Sequence, residues 1–291
     1  MRAAHTVKGL LLRRLADRND GIKEALTISQ EARKTKQQRL TLHQTSEIRD
    51  KQMKRTYWIL FFLIALVTDG VFIYMQDEGL RVFSKTALML TLLLMVKYTT
   101  PKGGSRIRSL LFAALAASLA GDVLLLFESR SPNYFLGGIG AFLLAQLAYA
   151  LAFNHLRRLK GIRFRPVALV PVVAYYVCLI ALLWEHLGPL RLPVLVYGAV
   201  ISAMLAMALQ LARLKNRRSA LLIFGGALLF IVSDSTLALN RFYEPLPGAG
   251  LLIMGTYGGA QLLITLGLLN HAAPPPVKQK SDEAMRMELL N

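Results

Sequence analysis

Charge is scarce in this chain and uneven in sign. Only 18% of its 291 residues are Asp, Glu, Lys or Arg, and 17 acids face 35 bases. So little charge cannot clothe an ordinary soluble globule, and 54% hydrophobic residues exclude a disordered chain. The single cysteine, Cys178, has no partner in the chain and excludes a disulfide scaffold. Metal motifs are absent too: His155, His186 and His271 fall at the ends of apolar runs without ligand spacing, so neither a metal nor any other cofactor is expected. Ser118 and Ser233 have no His-acid constellation, which leaves a serine hydrolase triad without support. Gly137-Gly138-x-Gly140, Gly225-Gly226 and Gly258-Gly259 lack the strand-turn-helix setting of a phosphate-cradling loop. Close helix crossings explain them better.

What the chain has is long apolar runs. About 20 such residues cross a hydrocarbon core roughly 30 Å thick, and from Tyr57 onward eight runs qualify. They lie near Tyr57 to Met75, Val82 to Tyr98, Ile107 to Phe127, Tyr134 to Phe153, Pro166 to Trp184, Pro193 to Leu211, Ala220 to Leu239 and Ala249 to Asn270. Short loops favour antiparallel neighbours. The expected architecture is an all-α membrane protein, an eight-transmembrane-helix bundle forming one domain over residues 56–271, with tails at 1–55 and 272–291.

The basic residues orient this bundle, because positively charged short loops stay on the cytoplasmic side. The N-terminal tail holds 14 Lys/Arg, successive loops hold 1, 4, 1, 5, 1, 4 and 1, and the C-terminal tail holds 3. Thirty of the 35 therefore fall on one face, four on the other, and Lys85 lies inside a helix. Both termini are expected to be cytoplasmic, in a multi-pass protein of a bacterial inner (plasma) membrane. The net +18 becomes a topology signal, and no nucleic-acid partner is expected.

Residues 1–55 are different in kind. Lys8 to Arg18 has the pattern of a basic amphipathic helix on anionic lipid, whereas Glu31 to Arg55 is polar without an apolar face and reads as a solvated tail. Met53-Lys54-Arg55, directly before the first span, is a candidate natural start, and no cleavable signal peptide is evident.

An ionisable side chain deep in hydrocarbon costs at least about 2.5–3.5 kcal/mol, so each one asks for a reason. Only Asp69, Lys85, Asp122 and Asp234 lie well inside the spans, and the deduced topology puts all four toward the outer side. Tyr197, Asn240, Tyr257 and Gln261 join them, while Gln146, Tyr149 and Asn154 continue down the fourth helix. Cross-helix packing alone would account for many such amides and phenols, and a Lys85-aspartate pair can simply fix helix register. Asp69, near the outer interface, is kept as an additional acid.

Internal similarity singles out two acids. SLAGDVLLLF in the third helix and FIVSDSTLAL in the seventh both place a small residue before an aspartate, and Asp122 and Asp234 are 112 residues apart. The same offset carries Arg81 to Pro193 and Lys85 to Tyr197, and AQL recurs at Ala145 and Ala260, an offset of 115. These matches point to two parallel four-helix halves, with Asp122 and Asp234 facing each other across the axis between them.

The order and spacing of several short motifs resemble the YhhN-type lysoplasmalogenase family. They are Ala120-Gly121-Asp122, Gly140-Ala141-Phe142 through Gln146-x-x-Tyr149, Pro193-Val194-x-x-Tyr197, Ser233-Asp234-x-x-Leu237-Ala238 and Tyr257-x-x-Ala260-Gln261. The resemblance spans the second helix to the eighth. It implies eight membrane helices and hydrolysis of the vinyl ether bond of lysoplasmalogens to a fatty aldehyde and a glycerophospho-head group, with Asp122 and Asp234 as the catalytic residues. One position departs: the family's fourth helix often has histidine where this chain has Gln146, which puts a proton-relay role there in doubt.

Vinyl ether chemistry suits such a pair. The terminal alkene carbon must be protonated, and the resulting oxocarbenium ion must be stabilised and attacked by water. Two carboxyls of unlike environment in a low-dielectric pocket meet both needs. Lys85 is expected either to pair with the nearer aspartate or to bind the substrate phosphate. Tyr197, Tyr257, Gln261, Asn240 and Gln146 are candidate substrate-binding groups, and an apolar slot between helices would take the alkenyl chain from the bilayer. The partners would be a lysophospholipid substrate and membrane lipids. A transporter or lipid-handling protein using the same buried acids is the alternative, and a scaffold recruiting partners through its basic tail a third.

Overall fold

Hydrocarbon offers no partner to a free N–H or C=O, so apolar runs of this length close their backbone bonds as helices. The structure, a computed structural model, describes residues 53–100 and 105–272. The basic tail with Lys8 to Arg18, the loop at 101–104 and everything beyond Ala272 lie outside the described residues. Among the described residues there are eight helices long and apolar enough to cross a membrane, and no strand. Their α-helical parts are α1 (Met53–Met75), α2 (Glu78–Thr99), α3 (Arg106–Leu126), α4 (Pro132–Leu159), α5 (Val170–Leu183), α6 (Arg191–Gln210), α7 (Arg217–Ala238) and α8 (Ala249–Leu269), and 3-10 or π turns lengthen the fifth, sixth and seventh to the spans Pro166–His186, Gly188–Arg213 and Arg217–Tyr243.

Local chemistry sets the ends. The Asp77 carboxylate accepts from the Leu80 N–H at 3.0 Å to start α2, Ser131 caps α4 just before Pro132, and Asn216 caps α7. Helices outrun their apolar runs: α2 begins at Glu78 and α4 continues through Arg157 and Arg158. Hydropathy marks only the lipid-buried part of a hydrogen-bonded rod. α5 is a short helix flanked by 3-10 turns at Pro166–Leu169 and Trp184–His186. α7 ends in a π-helical turn, Leu239–Tyr243. There Asn240 Oδ1 accepts from the Leu246 N–H at 2.8 Å, and Gly248, at φ 71°, supplies the left-handed residue that lets α8 begin.

The packing repeats itself. α3 lies along α4 as α7 lies along α8, α2 meets α3 as α6 meets α7, and α4 touches α6 as α8 touches α2. Exchanging α2–α4 with α6–α8 maps these contacts onto one another, as parallel repeats require, although the packing of α3 on α8 has no equal counterpart between α7 and α4. Phe62, Leu88, Leu92, Leu115, Phe153, Met204, Phe230 and Ile264 bring side chains from seven of the helices into one core. α1 and α5 are the least buried helices and flank it. Arg55 ties the start of α1 to the end of α8, donating to Asn270 Oδ1 at 3.0 Å and to the Leu266 carbonyl at 2.8 Å.

Several glycines sit where the helices cross. A Cβ on Gly226 would come within 2.9 Å of the Ala260 carbonyl oxygen, one on Gly258 within 2.6 Å of Leu66, and one on Gly138 within 2.7 Å of Leu125. The close-crossing reading of the glycine clusters therefore holds at these positions. It does not hold at Gly140, which has open space where a Cβ would go, because that residue lies on the outer side of α4.

Candidate active site

Asp122 and Asp234 stand one turn before the ends of α3 and α7. Both line a cavity of about 540 Å³ enclosed mainly by α2, α3, α4, α6, α7 and α8, a size usual for small-molecule sites. Its rim holds Glu78 and Arg81 from the start of α2, Glu128 and Ser129 after α3, and Asn240 after α7. The cavity thus opens at the end of the bundle where these loops gather.

The two carboxyls have unlike company. Asp122 is 1% exposed; its Oδ1 faces Lys85 Nζ at 3.3 Å and its Oδ2 accepts from the Tyr257 hydroxyl at 2.7 Å. Phe142 and Phe230 pack edge-on against the Tyr257 ring, each with centroids 5.7 Å apart, and fix that phenol. Among the described residues no cation pairs with Asp234. Its Oδ2 accepts from the Tyr197 hydroxyl at 2.5 Å and from Gln146 Nε2 at 2.9 Å, and Gln146 Nε2 also donates to Tyr197 at 2.7 Å. Both bonds fall on Oδ2, so Oδ1 is left to the cavity. Lys85 and Tyr197, matched at the repeat offset in the sequence, partner the two matched aspartates, one as an ammonium and one as a phenol.

A second, almost wholly apolar slot runs between α4, α5, α6 and α7, past Ile139, Leu179, Ile180, Val194 and Ile201. It shares Phe135, Phe142, Tyr197 and Asp234 with the polar cavity. The slot residues Leu179, Ile180 and Val194 are only half-buried, so the slot is reachable from the flank of the bundle. Asp234 stands at the junction of a polar chamber and an apolar channel.

The remaining candidates divide. Lys85, Tyr197, Tyr257 and Asn240 line the cavity. Gln146 lies behind Asp234 and Tyr197 and acts on them. Gln261 is fully buried away from the cavity: it accepts from the Tyr149 hydroxyl and donates to Ser118 at 2.9 Å, locking α4, α8 and α3 together. Asn154 does not line the cavity either, and its side chain accepts from Arg157 on its own helix. Asp69 is not near solvent as its position in the sequence implies. It is fully buried, with Oδ1 accepting from Ser84 at 2.6 Å and Oδ2 unpartnered, and it does not line the cavity. Sequence reasoning missed Arg81, Glu78 and Glu128 on the rim, and the Tyr175–Ser235 hydroxyl pair on the slot wall at 2.6 Å. The signal for Arg81 was its i, i+4 spacing from Lys85, which puts both on one helix face. Among the described residues no group of His, Cys, Asp and Glu is placed to hold a metal ion.

Fold and site together define a multi-pass α-helical membrane protein with a two-carboxyl pocket joined to a narrow apolar slot of about 70 Å³. The chain belongs to the YhhN family, whose model matches residues 80–268. It is 36% identical to a lysoplasmalogenase from Homo sapiens over 60% of this chain and 69% of the relative. With a lysoplasmalogenase from Bos taurus it shares 37% identity over 56% and 67% of the two chains. A lysoplasmalogenase from Mycobacterium bovis is 36% identical over 58% and 66%. No solved structure matches the chain.

Proposed function

We propose that the protein is an integral-membrane hydrolase that cleaves the vinyl ether bond of lysoplasmalogens, releasing a fatty aldehyde and a glycerophospho-head group. The observation that carries this reading is the placement of Asp234: it touches both a polar chamber suited to a head group and a narrow apolar slot that leads toward the flank of the bundle, the side from which an alkenyl chain would approach. The family and the lysoplasmalogenase relatives support it.

The unlike partners support a division of roles between the two carboxyls. Asp122 faces an ammonium and carries the negative charge. Asp234 faces a phenol and an amide and holds the proton, because two charges sharing one dry cavity repel and only one has a counter-ion. Asp234 Oδ1 delivers that proton to the alkene carbon remote from the ether oxygen. The oxocarbenium ion that forms is stabilised by the Asp122 charge, and the Asp234 carboxylate takes a proton from the attacking water. Asp234, reprotonated by that water, then gives its proton to the glycerol oxygen as the hemiacetal carbon–oxygen bond breaks and takes the hemiacetal hydroxyl proton in return, so aldehyde and alcohol leave with Asp234 protonated as at the start. Tyr197 and Gln146 hold Asp234 in place throughout. The cavity opens on the outer side of a bacterial inner membrane, with both termini in the cytoplasm.

Asp122→Asn and Asp234→Asn, purified in detergent, are each expected to abolish aldehyde release while remaining folded. Turnover retained by either variant overturns the paired-carboxyl mechanism. No ion gradient is present in such an assay, so a wild-type protein that leaves the lipid intact speaks instead for the transporter reading.

A further inference from the structure

We infer that the rim of the cavity is a phosphodiester subsite built on Arg81, with the neighbouring carboxylates reading the amine of a zwitterionic head group. This rests on the hydrolase reading and names the part of its substrate that the catalytic pair does not touch. Arg81 lies in the first turn of α2, one turn rimward of Lys85 and on the same face, so it stands about 6 Å nearer the opening. Its side chain is only 18% exposed, yet it is incompletely satisfied. Nη1 donates to both Glu78 oxygens, at 3.0 and 3.2 Å, and Nε is buried without a hydrogen-bond partner. A buried guanidinium N–H without an acceptor is costly. A phosphate oxygen placed there satisfies it and accepts from the Arg81 fork in the bidentate way that suits phosphodiesters.

Lys85 does not compete for this role, since Asp122 already holds its ammonium. A glycerol whose vinyl ether oxygen sits at the depth of Asp122 and Asp234 carries its phosphate about one helical turn rimward, at the level of Arg81. The amine beyond that phosphate then reaches the rim, where Glu78 is 74% exposed and Glu128, loosely paired with Arg241 at 4.0 Å, lines the same opening. A phosphate between Arg81 and its present partner releases Glu78 toward that amine. The rim is therefore complementary to a phosphate bearing a cation, and less so to a phosphate monoester, whose extra negative charge the two carboxylates repel.

The test separates this subsite from the catalytic reading by using probes that cannot react. Equilibrium binding of an alkyl-ether lysophosphocholine and of the matching alkylglycerol, which lacks phosphate, is measured on the full-length protein in detergent. Wild type is expected to bind the phosphate-bearing probe about tenfold or more tighter, and Arg81→Gln to lose that difference while binding alkylglycerol as before. Retained alkylglycerol binding also shows that the variant is folded, and Arg81→Lys should recover part of the preference. Glu78→Gln is expected to narrow the gap between the phosphocholine probe and its phosphate-monoester counterpart. An unchanged preference in Arg81→Gln overturns the subsite, as does equal loss on both probes. Wild type that binds the alkyl-ether probe but releases no aldehyde from the vinyl ether overturns the hydrolase reading instead.

Discussion

One amide nitrogen of Gln146 serves two acceptors, the Tyr197 hydroxyl and Asp234 Oδ2. Gln146→Leu is expected to cut kcat about tenfold, roughly 1.4 kcal/mol in the barrier, with KM little changed, since the residue positions the acid without lining the cavity. Gln146→His, which restores an N–H donor, should stay within a few-fold of wild type; initial rates of aldehyde release on both variants check this. At this scale Asp122, Asp234, Lys85, Tyr197 and Tyr257 were legible because an ionisable group in hydrocarbon demands a partner, and the repeat offset supplied the pairing. Gln261 was misleading, because an amide that braces three helices and one that binds substrate look alike in a sequence. Arg81 was hidden by being counted with the loops, although α2 starts at Glu78 and carries it into the site.

Helices obey a simpler rule than side chains, and all eight could be read from their apolar runs. Their polar extensions could not, because capping and continued hydrogen bonding, rather than hydropathy, decide where a helix stops. Glycine was legible only in part. It marks close approach at Gly226 and open space at Gly140, and the difference depends on which face a neighbour occupies. Gly226→Val should therefore strain the α7–α8 crossing, where backbone atoms lie 2.9 Å from the built Cβ, and destabilise by about 1–3 kcal/mol. Gly140→Ala should be neutral or stabilising by up to about 1 kcal/mol, because glycine inside a helix costs that much relative to alanine. Thermal unfolding in detergent, followed by tryptophan fluorescence, distinguishes the two.

For the molecule as a whole, the two-fold exchange of α2–α4 with α6–α8 explains why duplicated positions converge on one cavity, and why divergence at a single pair, Lys85 and Tyr197, gives two like acids unlike partners. Orientation is the whole-molecule expectation that charge asymmetry supplies. In a Cys178→Ser background, Ser129→Cys at the rim should react with a membrane-impermeant maleimide on intact cells, and Lys160→Cys should react only after permeabilisation; the reverse pattern inverts the topology. The junction at Asp234 has one more consequence. Under the proposed mechanism, cleavage there divides an amphiphile into an oil and a water-soluble ester, with the slot on the side of the bundle flank and the rim on the side of water. Departure into different phases keeps the products from meeting again, so the reaction is driven forward by partition as well as by water.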